Sequence, residues 1–316
     1  MGRSMQQPSV VTIGTFDGVH LGHQHLIELV RNRGAAIDAR AGVITFEPVP
    51  LAVLRPDVYR GRICNPSEKL SLLEKSGADF VEVIAFSIEL SRLSPEEFMT
   101  TIVSRLSIVE LMVGDDFALG RNRAGNVEVL TEIGTRLGYR VEPIERLAPD
   151  GLMASSTEIR RAIESGNVAL AATLLGRPFR LSGDVIHGAH LGRRIGFPTA
   201  NFIPPVGIVP LADGIYAAYA HLPDRPQPLE AMTYVGTRPT IDGGDRHIET
   251  NILDFDEDLY GQTLRIDLVE RVRADKTFDG LDPLIAQLHQ DELVIRSILA
   301  SPQVRTRKFF DRAVRS

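Results

Sequence analysis

The chain has 316 residues, 43% of them hydrophobic and 24% charged, enough to bury two cores and too apolar for a disordered chain. Lys and Arg number 35 against 41 Asp and Glu, a net charge of −6, which excludes a generic nucleic-acid coat. One cysteine, Cys64, excludes an internal disulfide or a zinc-thiolate cluster and fits a reducing cytoplasm. No apolar run reaches the ~18 residues of a membrane helix, and Met1 to Pro8 lacks a signal-peptide core.

In chain order, Val10–Phe16 reads as a strand, followed by a helix with Leu26, Leu29 and Val30 on one face. Gly42–Phe46 is a second strand. Asn65-Pro66-Ser67-Glu68 then opens a helix, with Asn as cap, Pro in the first turn and Glu three residues on. Asp79–Phe86 reads as a buried strand, and Ser94-Pro95-Glu96-Glu97 repeats the helix-start chemistry. Val109–Val113 is a strand, Val127–Leu137 a helix and Tyr139–Ile144 a strand. Such alternation predicts a doubly wound parallel sheet with helices on both faces. Ser155-Ser156-Thr157-Glu158 starts a helical stretch reaching Leu175, which Gly176-Arg177-Pro178 breaks.

The texture then changes. Gly214–Leu222, Glu230–Val235, His247–Phe255 and Thr263–Arg271 suit short strands, and Asp242-Gly243-Gly244-Asp245 a turn between two of them. They predict a small antiparallel β-barrel. Asp282-Pro283 starts a C-terminal helix with Leu284, Ile285, Leu288, Ile295 and Ile298 facing inward. The fold class is therefore α/β plus β, with domains at 1–178 and 183–316.

Gly14-Thr15-Phe16-Asp17-Gly18-Val19-His20-Leu21-Gly22-His23 leaves the first strand and enters a helix. Ligands bind there in doubly wound sheets, and a helix N-terminus favours phosphate. His20 and His23 can donate hydrogen bonds to a polyphosphate; a metal pair or surface histidines are the plainer alternatives. His25 reads as helix surface. The chain has no P-loop and no Gly-x-Gly-x-x-Gly after the first strand. In Gly192-Arg193-Arg194-Ile195-Gly196-Phe197-Pro198-Thr199-Ala200-Asn201, the proline stiffens the backbone, and Thr199 and Asn201 alternate onto one side. A hydroxyl and an amide oxygen suit Mg²⁺ and phosphate, or the run is only a turn into a strand. Glu249, Asn251 and Leu253 share a strand face, where a carboxylate can accept a proton from a hydroxyl.

Taken in order, Gly14–His23, Thr45-Phe46-Glu47-Pro48, Val113–Gly120, Ser155–Arg160, Gly183–Asn201, Gly236–Thr240, His247–Phe255, Tyr260-Gly261 and Asp275–Phe278 resemble the bacterial bifunctional riboflavin kinase/FAD synthetase family. The resemblance runs from about Val10 to Asp291. It implies an N-terminal nucleotidyltransferase domain that adenylylates FMN to FAD, releasing pyrophosphate, and a C-terminal barrel that phosphorylates riboflavin. It further implies that His20 and His23 hold ATP phosphates, with Gly14, Phe16, Asp17, Asp116, Ser156, Thr157 and Arg160 around the nucleotide. In the barrel it implies that Gly183, Gly192, Arg193, Gly196, Pro198, Thr199 and Asn201 bind ATP, with Thr199 and Asn201 at Mg²⁺ and Glu249 as base. Leu119 departs from the phenylalanine usual in its loop but stays apolar. Tyr260 and Phe278 are expected to be structural, and Arg271 and Arg273 are left open between flavin phosphate and solvent.

The expected ligands are riboflavin, FMN, FAD and ATP with Mg²⁺, without nucleic acid or membrane, in the cytoplasm; a transient homo-oligomer stays open. The rival readings are one live activity beside a scaffold domain, a flavin-responsive regulatory module, and a nucleotidyltransferase for another phosphate ester. Retention of His20, His23, Thr199, Asn201 and Glu249 opposes the first two. The barrel signature after residue 183 opposes the third.

Overall fold

The computed structural model describes residues 7–145, 154–188, 191–237 and 246–305. The chain divides into two compact units, residues 1–156 and 157–316. The first contains β1 (Ser9–Gly14), α1 (Leu21–Ala36), β2 (Arg40–Glu47), α2 (Pro50–Leu54), α3 (Pro66–Lys75), β3 (Phe80–Ala85), α4 (Ile88–Ser91), α5 (Pro95–Leu106), β4 (Ile108–Gly114), α6 (Val127–Leu137) and β5 (Arg140–Ile144). The strands form one parallel sheet in the order β3-β2-β1-β4-β5.

Alternation along the strands sorts the core into two layers. Val11, Ile13, Ile44, Phe46, Leu111 and Val113 pack with Phe98, Met99 and Ile102 of α5 and Leu130 and Ile133 of α6. On the other face, Val10, Ala41 and Met112 meet Val30 of α1, and Val43 meets Leu73 of α3. The helix starts follow their local chemistry. Asn65 caps α3 by accepting from the Glu68 N–H, and Ser94 with Glu97 completes a capping box on α5. One expectation fails. The strand at 79–86 is not buried, because β3 is the sheet edge, and Val83 is 43% exposed.

The second unit continues helix α7 (Ser156–Glu164) and adds α8 (Val168–Leu175), β6 (Phe179–Asp184), α9 (Leu191–Arg194), β7 (Ala200–Phe202), β8 (Gly214–His221), β9 (Leu229–Thr237), β10 (Arg246–Ile252), β11 (Thr263–Ala274), α10 (Leu281–Ala300) and α11 (Pro302–Arg305). Its antiparallel sheet runs β6-β11-β8-β9-β10-β7. Beyond β6, the Ile186 N–H donates to Asn201 O of β7 at 2.8 Å, so the two edges meet and the sheet curls into a barrel. Tyr216, Ala218, Ala231, Thr233, Ile248 and Thr250 are buried on one face of the sheet, where Thr233 and Thr250 share a hydrogen bond of 3.1 Å. The other face, with Ile215, Ala217, Met232 and Val269, packs under Ile295 and Leu299 of α10.

Leu288 and Ile298 of α10 pack against that cluster as expected, whereas Leu284 and Ile285 stay half-exposed. The helix also buries Asp291, whose carboxylate takes a two-pronged bond from Arg273 at 2.9–3.1 Å. The turn at 242–245 lies outside the described residues.

The packing division falls upstream of the change in sequence texture. α8 lies on β6 and β11, burying Val168, Ala171, Ala172, Leu174 and Leu175. The Ile163 carbonyl of α7 accepts from Ala212 N–H at 3.4 Å. Burying a Val or Leu stabilises by about 1.5–3 kcal/mol. A fragment beginning at Thr157 is therefore expected to melt at a clearly higher temperature than one beginning at Arg177, which keeps β6 whole. Thermal unfolding followed by circular dichroism checks this; equal midpoints would mean that α8 adds nothing to the barrel.

Candidate active sites

In the first sheet, β1 is flanked by β2 and β4, so the chain leaves β1 and β4 at a topological switch point, where α/β sheets bind ligands. The turn after β1 is sharp. Phe16 and Val19 have φ of 48° and 40°, and Gly18 has φ of 78°. A positive φ at a β-branched valine is costly and is typically kept at functional sites. Thr45 Oγ1 braces the turn by donating to Thr15 O at 3.1 Å. Asp17 is buried. Its carboxylate accepts from the Ile63 N–H at 3.0 and 3.2 Å, and its carbonyl accepts from Ser156 Oγ at 3.1 Å. These bonds make Asp17 an anchor of the turn. Gly14 lies under the Phe16 ring, where a Cβ would stand 3.0 Å from Cε2.

His20 is the N-cap of α1. Its Nδ1 accepts from the His23 N–H at 3.3 Å, so the neutral ring carries its proton on Nε2. The His23 ring stacks on it with centroids 3.5 Å apart, and Phe16 meets His23 edge-on at 5.0 Å. His23 keeps some exposed surface, but its ring is enclosed by protein. That desolvation, with the neighbouring His20, holds it well below the ordinary histidine value of 6.5. His23 Nδ1 is buried without a hydrogen-bond partner, a rare condition in a folded interior. His25 is half-buried on α1. Asp116 is exposed in the turn after β4, and its carbonyl accepts from Arg123 at 3.2 Å. Leu119 is buried in the bridge it forms with Gly125. Thr157 and Arg160 lie in the first turns of α7, in the second unit.

The second site is built on the barrel. Glu249 of β10 is opposite Asn201 of β7 on one side and Tyr234 of β9 on the other. Directly opposed residues share a face, so Glu249 and Asn201 project together, away from Ile248 and Thr250. Asn201 Nδ2 donates to Thr199 O at 3.1 Å and Thr199 Oγ1 at 3.2 Å, which confirms the pairing read from alternation. Asn251, on the same face as Glu249, donates to Pro198 O at 2.7 Å and pins the Pro198–Asn201 segment to the glutamate's strand. A cavity of about 30 Å³ is lined by Gly188, Arg193, Pro198, Thr199, Asn201 and Tyr260.

The expected residues divide here. Arg193, Pro198, Thr199 and Asn201 line the cavity. Gly183 does not: a Cβ there would sit 2.6 Å from Phe202, so barrel closure explains that glycine. Gly192 accepts from the Phe197 N–H at 2.8 Å and Gly196 has φ of 85°, so both shape the turn before the cavity. Sequence reasoning set Tyr260 aside as structural. Its ring lines the cavity and packs on His187 with centroids 3.9 Å apart. The signal was present in the Tyr260-Gly261 match, but pairing it with Thr199 needs the fold. Of the two arginines left open, Arg273 binds Asp291, and Arg271 donates to the Asp213 and Ser165 carbonyls.

The chain thus carries a switch-point histidine pair in a parallel α/β unit, followed by a barrel with a polar threonine–asparagine cavity beside a strand glutamate. The family model for FAD synthetase matches residues 2–158, and that for riboflavin kinase matches residues 175–299. The bifunctional riboflavin kinase/FMN adenylyltransferase of Escherichia coli K12 is 37% identical over 94% of this chain and 94% of its own. The protein of the same name from Pseudomonas fluorescens is 36% identical over 92% and 93%. A solved structure described as a macrolide-efflux protein from Streptococcus pneumoniae matches at 33% identity and a TM-score of 0.84, over 94% of this chain and 95% of that one. Among the described residues here, no helix is long and apolar enough to cross a membrane. The chain belongs to the bifunctional riboflavin kinase/FMN adenylyltransferase family.

Proposed function

We propose how the two activities of this family, riboflavin phosphorylation and FMN adenylylation with ATP, are distributed over the residues of this chain. The observation that carries the reading is the convergence of Glu249, Asn201 and Thr199 on one face of the barrel, beside a polar cavity.

In the kinase, assigned to residues 183–316, Glu249 takes the proton of the ribityl 5′-hydroxyl as that oxygen bonds to the γ-phosphorus of ATP and the bond to ADP breaks. Arg193 is exposed at the cavity and supplies charge for the phosphates. Asn201 spends its amide nitrogen on Thr199, which leaves its amide oxygen, with the Thr199 hydroxyl, as hard donors suited to Mg²⁺. Among the described residues no group of three His, Cys, Asp or Glu could hold a metal. A donor set of one hydroxyl and one amide therefore fits an ion whose other ligands are phosphate and water. When bound, Mg²⁺ neutralises phosphate charge.

In the adenylyltransferase, assigned to residues 1–178, an FMN phosphate oxygen attacks the α-phosphorus and pyrophosphate leaves. His20 and His23 donate to phosphate oxygens, held by the N-terminus of α1. Ser156, whose hydroxyl is committed to the Asp17 carbonyl, offers its backbone N–H at the start of α7. Asp116 is assigned to the ribose or the metal. A single buried thiol supports a reducing cytoplasm as the setting.

The test is one incubation of the intact chain with riboflavin, ATP and Mg²⁺, separating the flavins by chromatography over time. FMN should rise and then pass into FAD. Accumulation of FMN alone would leave the histidine site without its assigned role. Conversion of supplied FMN to FAD with riboflavin untouched would do the same for the barrel site.

A further inference from the structure

Tyr234 of β9 stands in a row that crosses five strands. It is opposite Glu249 on β10 and Ile215 on β8, Ile215 is opposite Arg273 on β11, and Glu249 is opposite Asn201 on β7. Opposed residues share a face, so the row carries the reacting side chains at one end and Arg273 at the other. β11 ends at Ala274, and residues 275–280 lead from it into α10. Tyr234 reaches along the row to this segment: its Oη donates to Oδ2 of Asp275 at 3.2 Å.

The direction of the ring is permitted by its neighbour on the same strand face. Residue 236 is glycine, and a Cβ there would collide with the Tyr234 hydroxyl. Burial, then Asp275 and more weakly Asp213 and Glu249, push the phenol up to about 12, so it remains a hydrogen-bond donor throughout the neutral range. The segment is tied at its other side by Arg273, which binds buried Asp291 of α10 and lies 5.7 Å from the centre of the Phe278 ring. The second oxygen of Asp275 accepts from the Lys276 N–H at 2.8 Å.

We propose that Tyr234 is a positioning residue of the kinase reaction: by holding Asp275 it fixes the 275–278 segment at a set spacing from Glu249, and so bounds the space in which the substrate alcohol meets the base. The proposal rests on Glu249 being that base. A flavin alcohol approaching Glu249 then enters a slot with one strand wall and one loop wall, and the Tyr234–Asp275 bond sets its width.

The test uses the full chain, whose FMN adenylylation serves as an internal control. Tyr234→Phe removes only the hydroxyl. It is expected to raise the riboflavin KM about tenfold, the scale of one hydrogen bond to a charged group, with little change in kcat. FMN adenylylation and Tm should be unchanged. Asp275→Ala, at an exposed position, should give the same KM, and the double variant should be no worse than either single one. Wild-type kinase constants in Tyr234→Phe would overturn the proposal, as would additive losses in the double variant or a joint fall of both activities with Tm. A parallel Glu249→Gln variant separates the two ideas. Full phosphorylation there overturns the base assignment, whereas its loss beside an unaffected Tyr234→Phe overturns the positioning role alone.

Discussion

Replacing Glu249 by glutamine is expected to cut riboflavin phosphorylation by about 10²–10⁴-fold, the range lost with a positioned general base, while supplied FMN is still converted to FAD. The argument is geometric. A strand glutamate ordinarily faces solvent, but this one is half-buried and shares its face with Asn201, across the β10–β7 ladder. Asn251 fastens the Pro198 carbonyl two residues along the same strand, so the base and the threonine–asparagine segment keep a fixed spacing. Glutamine preserves the shape and the ladder but cannot accept the proton. Steady-state kinetics of both half-reactions in one preparation decide the matter. Undiminished phosphorylation would remove Glu249 from the mechanism, and parallel loss of both activities would point to misfolding.

What the sequence made legible was whatever is encoded locally. Asn65 with Glu68 and Ser94 with Glu97 are contacts within one turn, so their spacing alone specified the starts of α3 and α5. The alternation of Thr199 and Asn201 likewise survives as a 3.2 Å hydrogen bond. What escaped was set by distant partners. β3 has the composition of an inner strand, yet its exposure depends on its place in the strand order, which the residues of the strand do not state. β7 is three residues long and exists because Ile186 and Glu249 flank it. α8 reads as the end of the first domain in texture, and only packing shows that its apolar face lies on β6 and β11. Arg273 is open in the sequence between flavin phosphate and solvent, and only α10, which brings Asp291 against it from eighteen positions away, decides its partner.

The histidine pair supplies the other large effect. His20→Ala and His23→Ala together are expected to stop the pathway at FMN, each missing donor costing on the order of 10²–10³-fold in adenylylation. Riboflavin phosphorylation should be retained. The state of the rings adds a sharper expectation. His23 is held well below 6.5 by desolvation and by His20, so it acts as a neutral imidazole, while His20 uses Nδ1 as an acceptor and presents Nε2. Adenylylation should therefore not decline because of His23 as pH rises through 6.5. A loss tied to His23 in that window would mean that an imidazolium is required and would overturn the assignment. Stability gives an independent reading of the same group. An unfolded chain protonates this histidine near 6.5, whereas the folded chain resists until well below it. Between those two values the unfolded state binds more protons, so His23 contributes stability that is present above 6.5 and is lost as pH falls toward the folded value. His23→Asn, which takes up no proton, should flatten that part of the urea-unfolding profile relative to the parent chain. An unchanged slope would show that the ring is not desolvated as its enclosure and its stacking on His20 require.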